Sequence, residues 1–217
     1  MARTTRVPLW GPLGLPDRSA QGEYLAVRTA ATATAYEVDL QWADAPLPVN
    51  SPQLWQPPNT GLANVLGSFG GHAYPRLSAA QAALTQLMGY YWQNPPPVRL
   101  HTVVLAAGVA ARVWTQSQGR VGLVRWQEDG WRCEVSQVPD LALARTLAGY
   151  IAAHPLPAAS GVLAVAEAGD GEHTQLAWRR YGTVVYTAGN YHDAVAAVAM
   201  AEAMRPYAVI AASASEG

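Results

Sequence analysis

Two stretches of the chain, 120–155 and 172–206, repeat one order of elements: strand, tight turn, strand, Ala/Leu-rich helix. In the first, Val124-Arg125-Trp126 is followed four residues later by Gly130, then by a strand over 131–135. In the second, Leu176-Ala177-Trp178 is followed four residues later by Gly182, then by a strand over 183–187. An Asp stands before each helix, Asp140 ahead of 141–153 and Asp193 ahead of 194–204, where a short carboxylate side chain accepts from free amides of the first turn. The helices place Leu141, Ala144, Leu147, Ala148 and Ile151 on one face, and Val195, Val198, Ala199 and Met204 on the other copy's face. Units of this kind predict an α+β fold. The expectation is an antiparallel sheet with about three helices on one face, built from strand-strand-helix units, with an extended Pro-rich N-terminal arm.

The rest of the chain fits around that scaffold. Residues 1–22 are rich in Pro and Gly without periodicity and read as the arm; 23–207 reads as one α+β domain and 208–217 as a disordered tail. Tyr36, Val38, Leu40 and Trp42 alternate with Glu37, Asp39 and Gln41, the pattern of a strand with one face buried. Five prolines between 43 and 61 (Pro46, Pro48, Pro52, Pro57, Pro58) remove so many backbone donors that a long loop carrying Trp55 is expected. The glycines of 64–74 predict a bulged or bent strand. Ser78 and Gln81 read as a capping box for a helix reaching about residue 91, with Leu84, Leu87, Met88 and Tyr91 inward. Strands are expected near 98–105 and 110–115.

Composition removes several functions. Half of the 217 residues are hydrophobic, so a packed core is within reach, and only 13% are charged against about 25% in ordinary soluble domains. The net charge is −1 without a basic stripe, which argues against a nucleic-acid partner. All 14 cationic side chains are Arg. Without Lys, neither a Walker-type phosphate loop nor a Schiff base can form. The single cysteine, Cys133, excludes an intramolecular disulfide and a Cys-based zinc site, and its place in a period-2 pattern reads as a buried thiol. No apolar run reaches the ~18 residues of a membrane span. After Arg3 and Arg6 the chain continues with Pro8, Pro12 and Pro16 in place of an apolar signal core.

The run Leu176-Ala177-Trp178, Gly182, Val185-Tyr186-Thr187-Ala188-Gly189-Asn190 and then 194–204 resembles the C-terminal domains of unknown function found in Gram-positive envelope lipoproteins and anti-sigma-factor-associated proteins. Those domains place a Trp strand, a Gly turn, a Tyr strand and an Ala/Leu helix ending in Met in this order. The resemblance covers about forty residues, implies an extracytoplasmic, envelope-associated setting, and supplies no catalytic residues.

Three functional readings follow. In the first, eight Trp and ten Tyr against one Phe point to aromatics with one wet edge. Trp10, Trp55, Tyr90, Tyr91 and Trp92 lie in or beside Pro-rich segments and are the candidate contacts of a non-catalytic module for a protein or cell-wall polymer. In the second, Asp170, Glu172 and His173, joined by His192 and Asp193, would bind a divalent metal in a hydrolase, although their spacing matches no zinc-protease helix or calcium loop. In the third, low charge near zero net permits a self-assembling structural protein. Nothing in the sequence points to an organic cofactor. The segment Gly67-Ser68-Phe69-Gly70-Gly71-His72 is not a nucleophile elbow, because Leu66 stands where the elbow needs Gly. His101 stands alone, and His154 sits where it can complement a helix C-terminus.

Overall fold

The computed structural model describes residues 4–14, 24–56, 65–88, 99–116, 120–138, 140–168 and 171–207. Among these residues twelve strands and three α-helices follow one another in the order β1 (Trp10–Pro12), β2 (Tyr24–Thr32), β3 (Ala35–Ala43), β4 (Val65–Ala73), α1 (Leu77–Leu87), β5 (Arg99–Val104), β6 (Ala110–Thr115), β7 (Val121–Glu128), β8 (Trp131–Ser136), α2 (Ala142–Ala153), β9 (Gly161–Ala168), β10 (Gly171–Arg180), β11 (Val184–Asn190), α3 (Ala194–Glu202) and β12 (Met204–Pro206). Ten of the strands form one sheet in the order β2-β3-β4-β11-β10-β9-β8-β7-β6-β5, and β1 pairs with β12 in a second, small antiparallel sheet. The expected α+β character holds, with strand predominating.

The large sheet is mixed. The expected antiparallel sheet is found except at one junction: β8 and β9 run parallel while every other neighbouring pair is antiparallel. The cause is β9, in which Val162, Leu163, Ala164, Val165 and Ala166 are buried on both faces, so that no alternation marks it in the sequence. Such a strand shows a continuous apolar run, and joining it in parallel to β8 requires a crossover, here made by α2.

The helices do not share one face, which corrects the expectation. α2 and α3 touch each other, and α3 packs on β10 and β11. Their side of the sheet carries Trp126, Trp131, Val135, Leu163, Trp178, Tyr186 and Phe69 in the main core. α1 lies on the opposite face, where Ala80 and Leu84 pack on Val162, Ala177 and Val185. Alternation along β10 dictates this split, since Leu176 and Trp178 point one way and Ala177 the other.

Local chemistry explains most element ends. The β7–β8 turn is Asp129-Gly130 with φ of 45° and 81°, a two-residue turn of the hand that suits strand twist. Asp193 caps α3 by accepting from the Ala196 amide at 2.9 Å, and Asp140 accepts from the Ala142 amide at 2.6 Å. His154 ends α2, its Nδ1 3.0 Å from the Tyr150 carbonyl oxygen. α1 departs from expectation. It starts at Leu77 after Arg76, with no side-chain cap, so Ser78 sits inside the first turn. The Tyr74 amide is tied to Thr183 O at 3.0 Å, which fixes where the chain leaves the sheet and leaves only Pro75 and Arg76 for the turn. α1 ends at Leu87, with Met88 already extended, so the helix stops short of the expected residue 91; residues 89–91 lie outside the described residues.

In α3 the buried set is Ala194, Ala197, Val198, Met200 and Ala201, while Val195 and Ala199 are half-buried and Met204 begins β12. A helix made almost entirely of Ala and Val carries no periodic signal to orient it. The 43–61 loop contains a 3₁₀ turn, Pro52–Trp55, which the proline density had argued against; Pro52 occupies the first-turn position where its missing donor is harmless. β4 is bulged as expected: Leu40 pairs with Gly67 and Gln41 with Val65, leaving Leu66 as the extra residue.

Residues 4–14 lie against the sheet on the α2/α3 side. Val7 and Trp10 are buried in the main core, and the Tyr186 hydroxyl donates to Pro8 O at 2.9 Å. Cys133 is fully buried beneath this core, and burial pushes its thiol pKa up, away from reactivity. The expected disordered tail, 208–217, and residues 15–22 of the expected arm lie outside the described residues.

Candidate binding face

On the α1 side, one row of paired residues crosses the whole sheet: Arg28, Asp39, Ser68, Gly189, Gln175, Ala164, Glu134, Arg125, Arg112 and Thr102. These are the alternate positions to the core stripe, so the same period that buries Val38 and Phe69 on one face turns this row to the other, where Ala164 and Glu134 are themselves covered. Beside it runs a second row of small residues, Ala30, Gly70 and Thr187, interrupted by Glu37. With His72 and Tyr74 they line a shallow trough of about 280 Å³. Gly70 has to be glycine, because a Cβ there would stand 2.5 Å from the Tyr36 carbonyl oxygen. Glu37 is exposed in this trough; partial burial, and next the neighbouring Asp39 carboxylate, raise its pKa above the usual carboxylate range, with Arg28 opposing.

One end of the row is built around Trp55. Leu54 is fully buried in a small cluster with Ala26 and Ala43, which fastens the 3₁₀ turn to the β2–β3 hairpin. Ser51 caps that turn. Trp55 itself is 62% exposed. The Arg28 guanidinium lies 3.8 Å from its ring centroid, and Arg28 Nη2 is held by Asp39 Oδ2 at 3.0 Å. One ring face is therefore occupied by a fixed cation, a favourable partner for an indole π-cloud, while most of the ring surface meets solvent.

The other aromatic candidates fare differently. Trp10 is 3% exposed; it packs 5.4 Å from Tyr186 and 6.4 Å from Tyr181, with Arg180 4.4 Å from its ring centroid. It fastens the N-terminal segment to the sheet. Tyr90, Tyr91 and Trp92 lie outside the described residues.

The acidic and histidine candidates that lie among the described residues have separate partners. Asp170 lies outside the described residues. Glu172 and His173 are neighbours on β10 and so leave opposite faces of the sheet. Glu172 Oε2 accepts from the Ala194 amide at 3.0 Å, and Asp193 caps the same helix, so both carboxylates serve the positive end of α3. A His192 ring nitrogen lies 3.0 Å from Val65 O, and His173 meets the Tyr191 ring edge-on at 5.5 Å. Among the described residues no group of three His, Cys, Asp or Glu is placed to hold a metal ion.

Arg28, Asp39 and Glu37 were absent from the candidates drawn from sequence. Glu37 and Asp39 were visible as the polar half of an alternating strand, but Arg28 joins them only through the β2–β3 register. Searches against protein-family models, curated proteins and solved structures return no match to this chain. Among the described residues no helix is long and apolar enough to cross a membrane.

Proposed function

We infer that this chain is a non-catalytic binding module that engages a protein segment or polymer along its α1-side face, with Trp55 as the contact platform. The observation that carries this reading is an exposed indole held in place by an ion-paired Arg28, beside a trough floored by small residues and edged by Glu37, His72 and Tyr74. A ring already immobilised loses little conformational freedom on binding, so a larger share of its contact energy remains. Polar edges with a small-residue floor suit an extended, hydroxyl- or amide-rich chain better than a compact apolar ligand. An envelope setting, implied by the C-terminal resemblance, makes cell-wall polymer the first ligand to test.

The test is retention of the folded chain on purified cell-wall material, with Trp55→Ala and Arg28→Ala beside the unaltered protein. Trp55→Ala is expected to leave thermal stability within about 1 kcal/mol, as for an exposed side chain, and to weaken retention at least tenfold. Arg28→Ala is expected to weaken it less. Retention unchanged in Trp55→Ala would remove the platform.

A further inference from the structure

The ten-stranded sheet ends differently at its two edges. At β2 the free edge is taken up by the loop that follows β3: the Asn50 amide donates to Val27 O at 3.0 Å, and Asn50 Oδ1 accepts from the Thr29 amide at 2.6 Å. Asn50 adopts a φ of 61° to do so. A side chain and its own backbone thus replace the missing strand.

At β5 no described residue does this. Arg99, Leu100, His101, Thr102 and Val104 are all exposed, and Leu100 and Val104 are 48% and 64% accessible. The strand contains no Pro, and its one Arg, Arg99, stands at its first position. It therefore lacks the usual devices that keep an edge from pairing.

The backbone register says which groups are available. The Leu105 amide turns toward β6, donating to Val109 O at 2.8 Å. Backbone direction alternates along an antiparallel strand. Arg99, His101 and Val103 therefore face β6, and the amides and carbonyls of Leu100, Thr102 and Val104 face outward.

We propose that β5 pairs antiparallel with β5 of a second copy of this chain, about a two-fold axis passing through Thr102. In that register the outward groups of Thr102 meet those of the partner's Thr102, and those of Leu100 meet those of the partner's Val104, twice over. Leu100, Thr102 and Val104 share one face of the strand, so the two most exposed apolar side chains of β5 cover each other across the junction. His101 falls opposite the partner's Val103, and Arg99 opposite the partner's Leu105, so no like charges oppose. A net charge of −1 lets two copies approach with little repulsion. The pairing extends each sheet into one continuous sheet across the dimer, and it leaves the Trp55 end of both sheets free. A six-residue strand pair is a small interface, which places the dimer among weak, concentration-dependent associations.

The test is sedimentation velocity of the full chain over a wide concentration range, with variants at the axis. The unaltered chain is expected to shift from monomer to dimer. Thr102→Lys and Thr102→Glu each set like charges directly opposite one another and are expected to remain monomeric. An equimolar mixture of the two is expected to recover the dimer, because the opposed charges are then unlike. Thr102→Pro removes only an outward amide, so circular dichroism should match the unaltered chain while the dimer is lost. A chain that stays monomeric throughout overturns the proposal, and so does a dimer indifferent to residue 102. So does a monomer whose β5 amides gain exchange protection only when an extended peptide is added, which would assign the edge to another partner.

Discussion

Replacing Tyr36 by Phe removes one oxygen atom and is expected to cost far more than an ordinary hydroxyl. Trp10 pairs with Pro206 across the small sheet at a position whose backbone groups turn away from the partner strand, since the Tyr207 amide donates to the Leu9 carbonyl next to it. On its other side the Trp10 amide donates to Tyr36 Oη at 2.8 Å, and the Tyr36 hydroxyl donates back to Trp10 O at 2.8 Å. A single phenol thus serves both groups of one residue, as a neighbouring strand would. Both partners are buried, so Tyr36→Phe strands a donor and an acceptor at ~1–3 kcal/mol each. After local relaxation the net loss should be about 2–4 kcal/mol. For a chain of this size each kcal/mol lowers the melting temperature by about 2–4 °C. Chemical denaturation followed by circular dichroism measures the loss, and hydrogen exchange at the Trp10 amide shows whether residues 4–14 detach first. Tyr186→Phe is the control: among the described residues its hydroxyl serves Pro8 O alone, at 2.9 Å, so about 1 kcal/mol is expected. A Tyr36→Phe chain within about 0.5 kcal/mol of the original, with Trp10 exchange unchanged, would refute the latch.

Further outcomes follow from the same geometry. Burial raises the Tyr36 pKa from 10.0 to about 12, with the Trp10 hydrogen bond opposing, and Tyr186 is pushed up by the same cause. Because the folded state favours the neutral phenol, this stabilisation is complete below about pH 10 and is lost as pH rises toward 12. Denaturation midpoints against pH should fall in that window and fall less in Tyr36→Phe. Gly130 and Gly182 occupy corresponding turns at φ of 81° and 75°, yet a Cβ on Gly130 would lie 2.2 Å from Ala159 O while one on Gly182 meets nothing within 4 Å. Gly182→Ala should therefore cost about 1 kcal/mol of backbone strain, and Gly130→Ala clearly more, by comparative thermal melts. Equal costs would mean that the Ala159 contact yields freely.

What the sequence made legible follows its periodicity. Tyr36, Val38, Leu40 and Trp42 announced β3 because one buried face enforces alternation, and all four are buried. Asp140 and Asp193 announced two helix starts because free amides demand an acceptor. The central strand β9 was illegible for the opposite reason: with both faces covered, nothing alternates. The face chosen by α1 was equally hidden, since it depends on which neighbours flank Ala177 and Val162 in the sheet. Trp55 stood out as a loop aromatic, whereas its supports Arg28 and Asp39 come together only through strand register. Trp10 carried the same local signature as Trp55 and is buried, because the tyrosines that enclose it come from β3 and β11.

The pairing of β4 with β11 sets an order for the making of this protein. The β2–β3–β4 hairpins leave the ribosome well ahead of the strand that completes β4, because β5 to β10 are synthesised between them. At ~5–20 residues per second the wait is on the order of ten seconds. During that interval β4 presents an open edge that glycines keep flat and unguarded. By contrast, β5 to β8 are all neighbours in sequence and can close as they appear. A nascent chain stalled before Val184 would hold a finished half-sheet beside an unmatched one, which is where a chaperone has most to shield.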